Sequence, residues 1–298
     1  MKRSKGEIVF QIGNAIFMLL LCAIMVYPYL NSLALSLNDG ADAALGGITI
    51  FPRKFSWMNY ATIFKNQMIG NAALLSVARV LLGTLLGLVT TAGAAYAMIH
   101  PTLPGRKWLQ IFLIIPMFIS GGLIPNFILF RYLKLMNNFW LYVFVVGGGL
   151  GAFSMFNMVI VRTFFHTIPE SLEESARIDG AHDLLIFFRI VLPLSKPVLA
   201  TVGLMICLGY WNDWWLGLML IDNETMKPLQ LLLRSITSNI QFLKYSKGGG
   251  MQLKELLTLP SEGIKLATCI VTIGPIIFVY PFVQKYFVSG IMLGAVKG

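Results

Sequence analysis

The chain has 298 residues, 57% of them hydrophobic and 12% charged, with a mean hydropathy of +0.75. A soluble domain carries roughly twice that charged fraction, so the composition excludes an ordinary soluble enzyme and indicates an integral membrane protein, with room for about six helices of ~20 residues. The net charge of +10 is scattered through loops and helix ends without a basic stripe, so it flanks a membrane and no nucleic-acid partner is expected.

Backbone polar groups in lipid must be paired within the segment, and apolar runs of this length mean helices, not barrel strands. The expected fold class is all-α and membrane-embedded, a single transmembrane domain over 1–298. Its spans fall at about 8–37, 70–99, 108–130, 139–161, 198–221 and 264–287. Lys2, Arg3 and Lys5 precede a run from Ile8 to Asn38 without charge, too long for a signal-peptide core and read as an uncleaved first span. Residues 39–69 form a polar loop whose Phe51, Trp57 and Tyr60 suit the membrane interface. The second span is rich in Gly, Ala and Thr for close packing. Arg79 interrupts it ~13 Å along the helix, where a charge must face protein, face a wet cavity or snorkel outward.

A basic turn, His100-Pro101 to Gly105-Arg106-Lys107, leads to the third span, with kinks expected at Pro116 and Pro125. A short connection, Arg131–Asn138, precedes the fourth span. That span contains Gly147-Gly148-Gly149 and Gly151, a place for a break or very close packing. The fifth span ends in Trp211-Asn212-Asp213-Trp214-Trp215, whose rings and polar groups can anchor at the interface. A polar loop from Asp222 to about Gly263 precedes the sixth span. Cys22, Cys207 and Cys269 lie inside spans without metal spacing and read as packing residues. His100, His166 and His182 form no triad or ligand pattern. With no G-x-x-x-x-G-K-[ST], H-E-x-x-H or G-x-S-x-G in the chain, no catalytic residue, metal site or bound cofactor is expected.

The segment at about 169–197 is different. Five of the thirteen acidic residues lie between Glu170 and Asp183, so it belongs in water or against a protein partner. Two short helices are expected. Pro169 takes the first helical position, Ser171 and Glu174 have capping-box spacing, and Glu170, Glu173 and Glu174 sit at the positive end of the helix dipole. Gly180 breaks the chain, and a second helix from His182 to Leu192 stops at Pro193. Ala176 and Gly180, four apart, leave one face small enough for close approach.

The run Glu174-Ser175-Ala176, three residues, Gly180, nine residues, Ile190, one residue, Leu192-Pro193 resembles the EAA loop of ABC importer permeases. Ser175 stands where that pattern usually has Ala. Asn71, Ala95-Tyr96-Ala97, Pro104-Gly105-Arg106, Trp211-Asn212-Asp213, Gln284-Lys285-Tyr286-Phe287 and Gly294-Ala295-Val296-Lys297-Gly298 extend the resemblance over nearly the whole chain. Together they resemble carbohydrate-uptake class 1 importers, specifically the second membrane subunit of the maltose system, and within it the branch for complex or acidic oligosaccharides. Lys134 departs from that family, many of whose members have Gly there.

The resemblance implies a six-span type I importer permease in the bacterial cytoplasmic membrane, multi-pass, with both termini cytoplasmic. The Lys2–Lys5 cluster and the Arg106-Lys107 turn favour the same orientation. It also implies a second, similar permease subunit, two ATPase subunits that bind ATP and Mg, and an extracytoplasmic sugar-binding protein. The residues it assigns to ATPase coupling are Glu170, Glu173, Glu174, Ser175, Ala176, Asp179, Gly180, Ala181, Ile190 and Pro193. Pathway candidates are Arg79, Trp211, Asn212 and Asp213. For Arg79 two roles stay open: packing against a neighbouring helix's carbonyls, or attracting an anionic sugar such as a uronate from a cavity wall. Trp211, Asn212 and Asp213 either anchor at the interface or meet sugar rings and hydroxyls. An ion-driven secondary transporter is the alternative. It calls for internal repeats and intramembrane acids, and Asp213 is the only acid in a predicted span. A membrane enzyme lacks any nucleophile–base constellation.

Overall fold

A computed structural model describes residues 5–43, 45–65, 67–119, 121–146, 149–150, 154–246 and 262–295. Lys2, Arg3, Gly147, Gly148, Gly151 and residues 296–298, on which parts of the sequence reading fall, lie outside the described residues. Apart from one two-residue antiparallel pair, Val145–Val146 with Gly149–Leu150, the described regular structure is helical. The chain divides into two compact units, residues 1–69 with 233–274, and residues 70–232 with 275–298.

In the first unit, α1 (Lys5–Ser36) is 32 residues long, and every residue from Gly6 to Leu30 is exposed. Such a surface must be covered by lipid or another chain. The loop that follows contains two short helices, α2 (Gly40–Ala43) and α3 (Met58–Lys65), and it is knitted by buried polar side chains. Asn59 donates to the Ser36 and Asn38 carbonyls at 2.9 Å each. Asn38 donates to Asp42 at 2.9 Å and accepts from the Lys54 N–H at 2.7 Å. Arg53 pairs with Asp42 at 3.0 Å. The region read as a plain polar loop is thus a fixed polar clasp beyond the end of the first span.

The second unit is built on α4 (Gln67–Ile99), 33 residues of unbroken helix. The predicted third, fourth and fifth spans are each interrupted. The third becomes α5 (Arg106–Phe118) and α6 (Leu123–Tyr132). Its break is set by Gly122 at φ +82, and not by the prolines: Pro116 lies inside α5, and Pro125 sits in the first turn of α6, where no N–H is needed. The fourth becomes α7 (Phe139–Phe144) and α8 (Met155–Phe165), with Ser154 capping α8 through the Asn157 N–H. In the charged segment lie α9 (Glu170–Ile178) and α10 (Asp183–Leu194). The fifth span becomes α11 (Lys196–Asn212) and α12 (Trp215–Leu220), parted at Asp213. Of the remaining helices, α13 (Leu229–Ser246) belongs to the first unit from residue 233 on, and α14 (Glu262–Ala295), over the predicted sixth span, belongs to the first unit up to 274 and to the second from 275.

By length and hydropathy, two helices among the described residues can cross a membrane outright, Gly6–Ser36 and Gln67–Ile99. The pair α10 and α11 passes the same measure together but is bent by 83°. A core of Phe130, Tyr142, Leu216, Leu220 and Ile221 gathers α6, α7 and α12. Beside it α6 ends in a Schellman motif. The Leu135 N–H donates to the Phe130 carbonyl at 3.0 Å and the Lys134 N–H to the Arg131 carbonyl at 3.1 Å, with Leu135 packed on that core. Lys134, at φ 55, therefore occupies the left-handed position that a glycine adopts without strain, which is the physical meaning of its departure from the family.

Candidate functional site

Within the charged segment, α9 begins one residue later than its proline implies. Pro169 is the residue before the helix and no side chain caps it. The expected capping box is absent because Ser171 already lies within the helix, where its carbonyl accepts from the Ser175 hydroxyl at 2.8 Å. That bond turns the Ser175 hydroxyl onto its own helix, so the residue presents little more than an alanine would. Glu170 and Glu173 occupy the first turn as expected, whereas Glu174 lies beyond it.

The end of α9 is a second Schellman motif. The Ala181 N–H donates to the Ala176 carbonyl at 2.9 Å and the Gly180 N–H to the Arg177 carbonyl at 3.0 Å. Gly180 has φ +81. Its glycine is required by backbone conformation, since a Cβ there would meet nothing within 4 Å in this chain. His182 then caps α10, its Nδ1 accepting from the Leu185 N–H at 3.1 Å. Arg177 reaches across the turn, 3.3 Å from Glu173 and 3.5 Å from Asp183.

The sequence reading ended the second helix at Pro193. Instead α10 runs on to Leu194. Residues Phe187–Val191 form a π-turn, in which the Leu192 N–H bonds the Phe187 carbonyl. The wider turn re-registers the ladder just before the proline, whose missing N–H and ring would otherwise stop an α-helix. Ile186, Phe187 and Val191 are buried; Phe187 packs on Tyr96 of α4 at 5.0 Å, and Tyr96 also faces Phe165 of α8 at 6.5 Å. Tyr96, noticed in the sequence near the end of the second span, is thus a seat of α10, and Ala95 beside it in the chain is buried. The other side is open. No residue of α9 is buried, and Ile178, Leu184 and Phe188 are 87%, 65% and 59% exposed. Apolar side chains lie in the open among five carboxylates, on an element bent 83° from α11.

Of the pathway candidates, the fold brings Arg79 and Asp213 together. Arg79 is 1% exposed. Its Nε donates to the Tyr142 carbonyl at 3.0 Å and its Nη2 to an Asp213 carboxylate oxygen. The guanidinium lies 3.4 Å from the Tyr142 ring centroid and 5.1 Å from that of Tyr210, within cation–π reach of both. This geometry is the packing role, with the charge matched by Asp213. Trp211 is buried too and, with Val77, Val80, Leu81, Cys207 and Pro275, lines an apolar cleft of ≈ 220 Å³. Asn212 is exposed. Tyr142, Tyr210 and Gly83 escaped the sequence reading. The available signal was the pairing of one cation and one acid in otherwise uncharged spans.

The family described as "binding-protein-dependent transport system inner membrane component" matches residues 83–292. Protein LplC of Bacillus subtilis (strain 168) is 35% identical over 298 residues, 100% of this chain and 98% of that protein. The polygalacturonan/rhamnogalacturonan transport system permease protein YtcP of the same organism is 35% identical over 285 residues, covering 95% and 96%. Among solved structures, a chain of a bacterial ABC transporter involved in the import of the acidic polysaccharide alginate superposes with a TM-score of 0.84 at 27% identity, over 96% of this chain and 99% of that one. A helical fold and this extent of similarity lead to one conclusion: the chain belongs to the family of binding-protein-dependent transport system inner membrane components, the permease subunits of ABC importers.

Proposed function

We propose that this chain is half of the translocation pathway of an ATP-driven importer of oligosaccharides, and that residues Glu170–Pro193 couple it to the ATPase. The observation that carries the reading is the helix pair α9–α10. It is seated on α4 by Phe187 against Tyr96, with Ile186 and Val191 buried beside it, yet it holds Ile178, Leu184 and Phe188 exposed on a segment rich in acids. That face fits a protein groove with apolar walls and a basic rim. Six spans follow if α5–α6, α7–α8 and α11–α12 are three broken spans beside α1, α4 and α14. Both termini and α9–α10 then lie on the cytoplasmic side. The partners are a second, similar permease subunit, two ATPase subunits that hold ATP and Mg, and an extracytoplasmic binding protein; this chain supplies no catalytic group. ATP-driven closure of the ATPases moves α10, and α11 carries the movement into the membrane. Such coupling requires different contacts in the two states.

Cargo is inferred from relatives named for polygalacturonan/rhamnogalacturonan and for alginate, and fragments of acidic polysaccharides are the best match. Arg79 does not support that choice, being enclosed. Asn212 remains the exposed polar candidate. The experiment is reconstitution of the complete complex in proteoliposomes, with uptake of trigalacturonate and maltotriose measured with and without ATP. ATP-dependent uptake that collapses in Glu174→Lys, with the complex still assembled, supports the coupling role. Undiminished uptake in that variant refutes it, and uptake of maltotriose alone refutes the acidic cargo.

A further inference from the structure

Two interruptions of the membrane helices end on one guanidinium. The last carbonyls of any helix lack partners within it, and an unpaired carbonyl in lipid is untenable. At the end of α7 the Tyr142 carbonyl accepts from Arg79 Nε at 3.0 Å and the Val143 carbonyl accepts from the Tyr210 hydroxyl. A cation there also complements the negative end of the α7 dipole. At the break between α11 and α12, Asp213 is extended, with φ −77 and ψ 102. One of its oxygens takes Arg79 Nη2, and the other accepts from the Leu216 N–H at 3.0 Å. Arg79 stands on uninterrupted α4 and holds both breaks at once. A planar fork does this where the single point of a lysine holds only one. Gly83, one turn along α4, admits the Tyr210 ring: a Cβ there would lie 2.3 Å from Tyr210 Cζ.

The helix ending at Asp213 is the one whose other end adjoins α10. We propose that Arg79 and Asp213 are positioning residues of the transport cycle, tying the break between α11 and α12 to the C-terminal end of α7 so that a displacement arriving along α11 reaches both together. The proposal rests on the importer reading above and adds residues that touch neither cargo nor ATPase.

The test uses the complete complex in proteoliposomes, with uptake and ATP hydrolysis measured on the same vesicles for wild type, Arg79→Lys, Asp213→Asn, the double variant and Tyr210→Phe. Trigalacturonate and maltotriose are the probes. Arg79→Lys and Asp213→Asn each lower the sugar imported per ATP by about tenfold or more, because a lysine holds only one of the two breaks and an asparagine leaves the buried guanidinium without its counter-charge. The KM for loaded binding protein stays within about twofold of wild type, as the interaction lost is not a binding contact. The double variant is no worse than the worse single variant, the mark of groups that act as a unit. Tyr210→Phe keeps every charge and lowers the ratio by roughly two- to fivefold. Wild-type ratios in the single variants, additive losses in the double variant, or uptake that falls only in step with complex yield would overturn the proposal. Where a charge variant fails to assemble, Tyr210→Phe decides the matter alone. Wild-type vesicles without ATP-dependent uptake would instead overturn the importer reading.

Discussion

Gly180 allows a sharp separation of backbone strain from surface fit. It closes the Schellman motif of α9 at φ +81, with nothing within 4 Å of the point a Cβ would occupy. Any non-glycine side chain there is forced into the left-handed region at a cost of about 1–2 kcal/mol, which lowers the population of the formed turn roughly 5–30-fold. The penalty falls on the backbone, so side-chain size has no part in it within this chain. Gly180→Ala and Gly180→Leu are therefore expected to lose ATP-dependent uptake to within about twofold of each other, whereas Gly180→Asn, which tolerates this conformation, loses least. Uptake and ATP hydrolysis by the reconstituted complex measure both the loss and its coupling. Wild-type uptake in Gly180→Ala would refute the strain argument. A loss graded with side-chain size would refute it as well, and would assign Gly180 to close approach by the ATPase.

Lys134→Gly relieves the opposite defect: Lys134 has φ 55 at the equivalent position of the α6 motif, so the substitution stabilises by about 1 kcal/mol, and an unchanged or lower melting temperature of the purified complex would contradict it. Gly83→Ala places a methyl group 2.3 Å from Tyr210 Cζ, on a ring held by its hydroxyl at Val143; a loss of roughly 1–3 kcal/mol follows from overpacking, and an unaltered melting temperature would show that the ring is free to move. The Asp42 carboxyl lies below its ordinary 3.8, first because Asn38 donates to it and then because Arg53 does. Its contribution to the clasp around residues 37–60 is complete above pH 3.8 and fades as the pH falls through the lower folded value. Hydrogen exchange in that loop should quicken over that range in the wild type, whereas Asp42→Asn should be fast throughout; equal pH profiles would rule the linkage out.

Some of this architecture is dictated by the chain alone. The first predicted span is an uncharged apolar run and the second is apolar but for Arg79, and α1 (Lys5–Ser36) and α4 (Gln67–Ile99) follow them closely, because a long apolar segment in lipid has no way to satisfy its backbone except as a helix. The charged segment is equally local. Gly180 between two helical patterns needs only its own neighbours to close a Schellman turn, and the acids of α9 announce a surface that cannot enter the bilayer. The interruptions of the predicted fourth and fifth spans belong to tertiary structure. A helix may stop inside a membrane only where other side chains take over its freed carbonyls and N–H groups. For α7 those side chains are Arg79, 63 residues from Tyr142, and Tyr210, 67 residues from Val143. For the break at Asp213 the partner is again Arg79, 134 residues away. Sequence periodicity carries no information over such distances. Arg79 and Asp213 stand out in the sequence as isolated charges, but only the fold joins them, since a buried charge is stable where its counter-charge and hydrogen-bond acceptors converge on it.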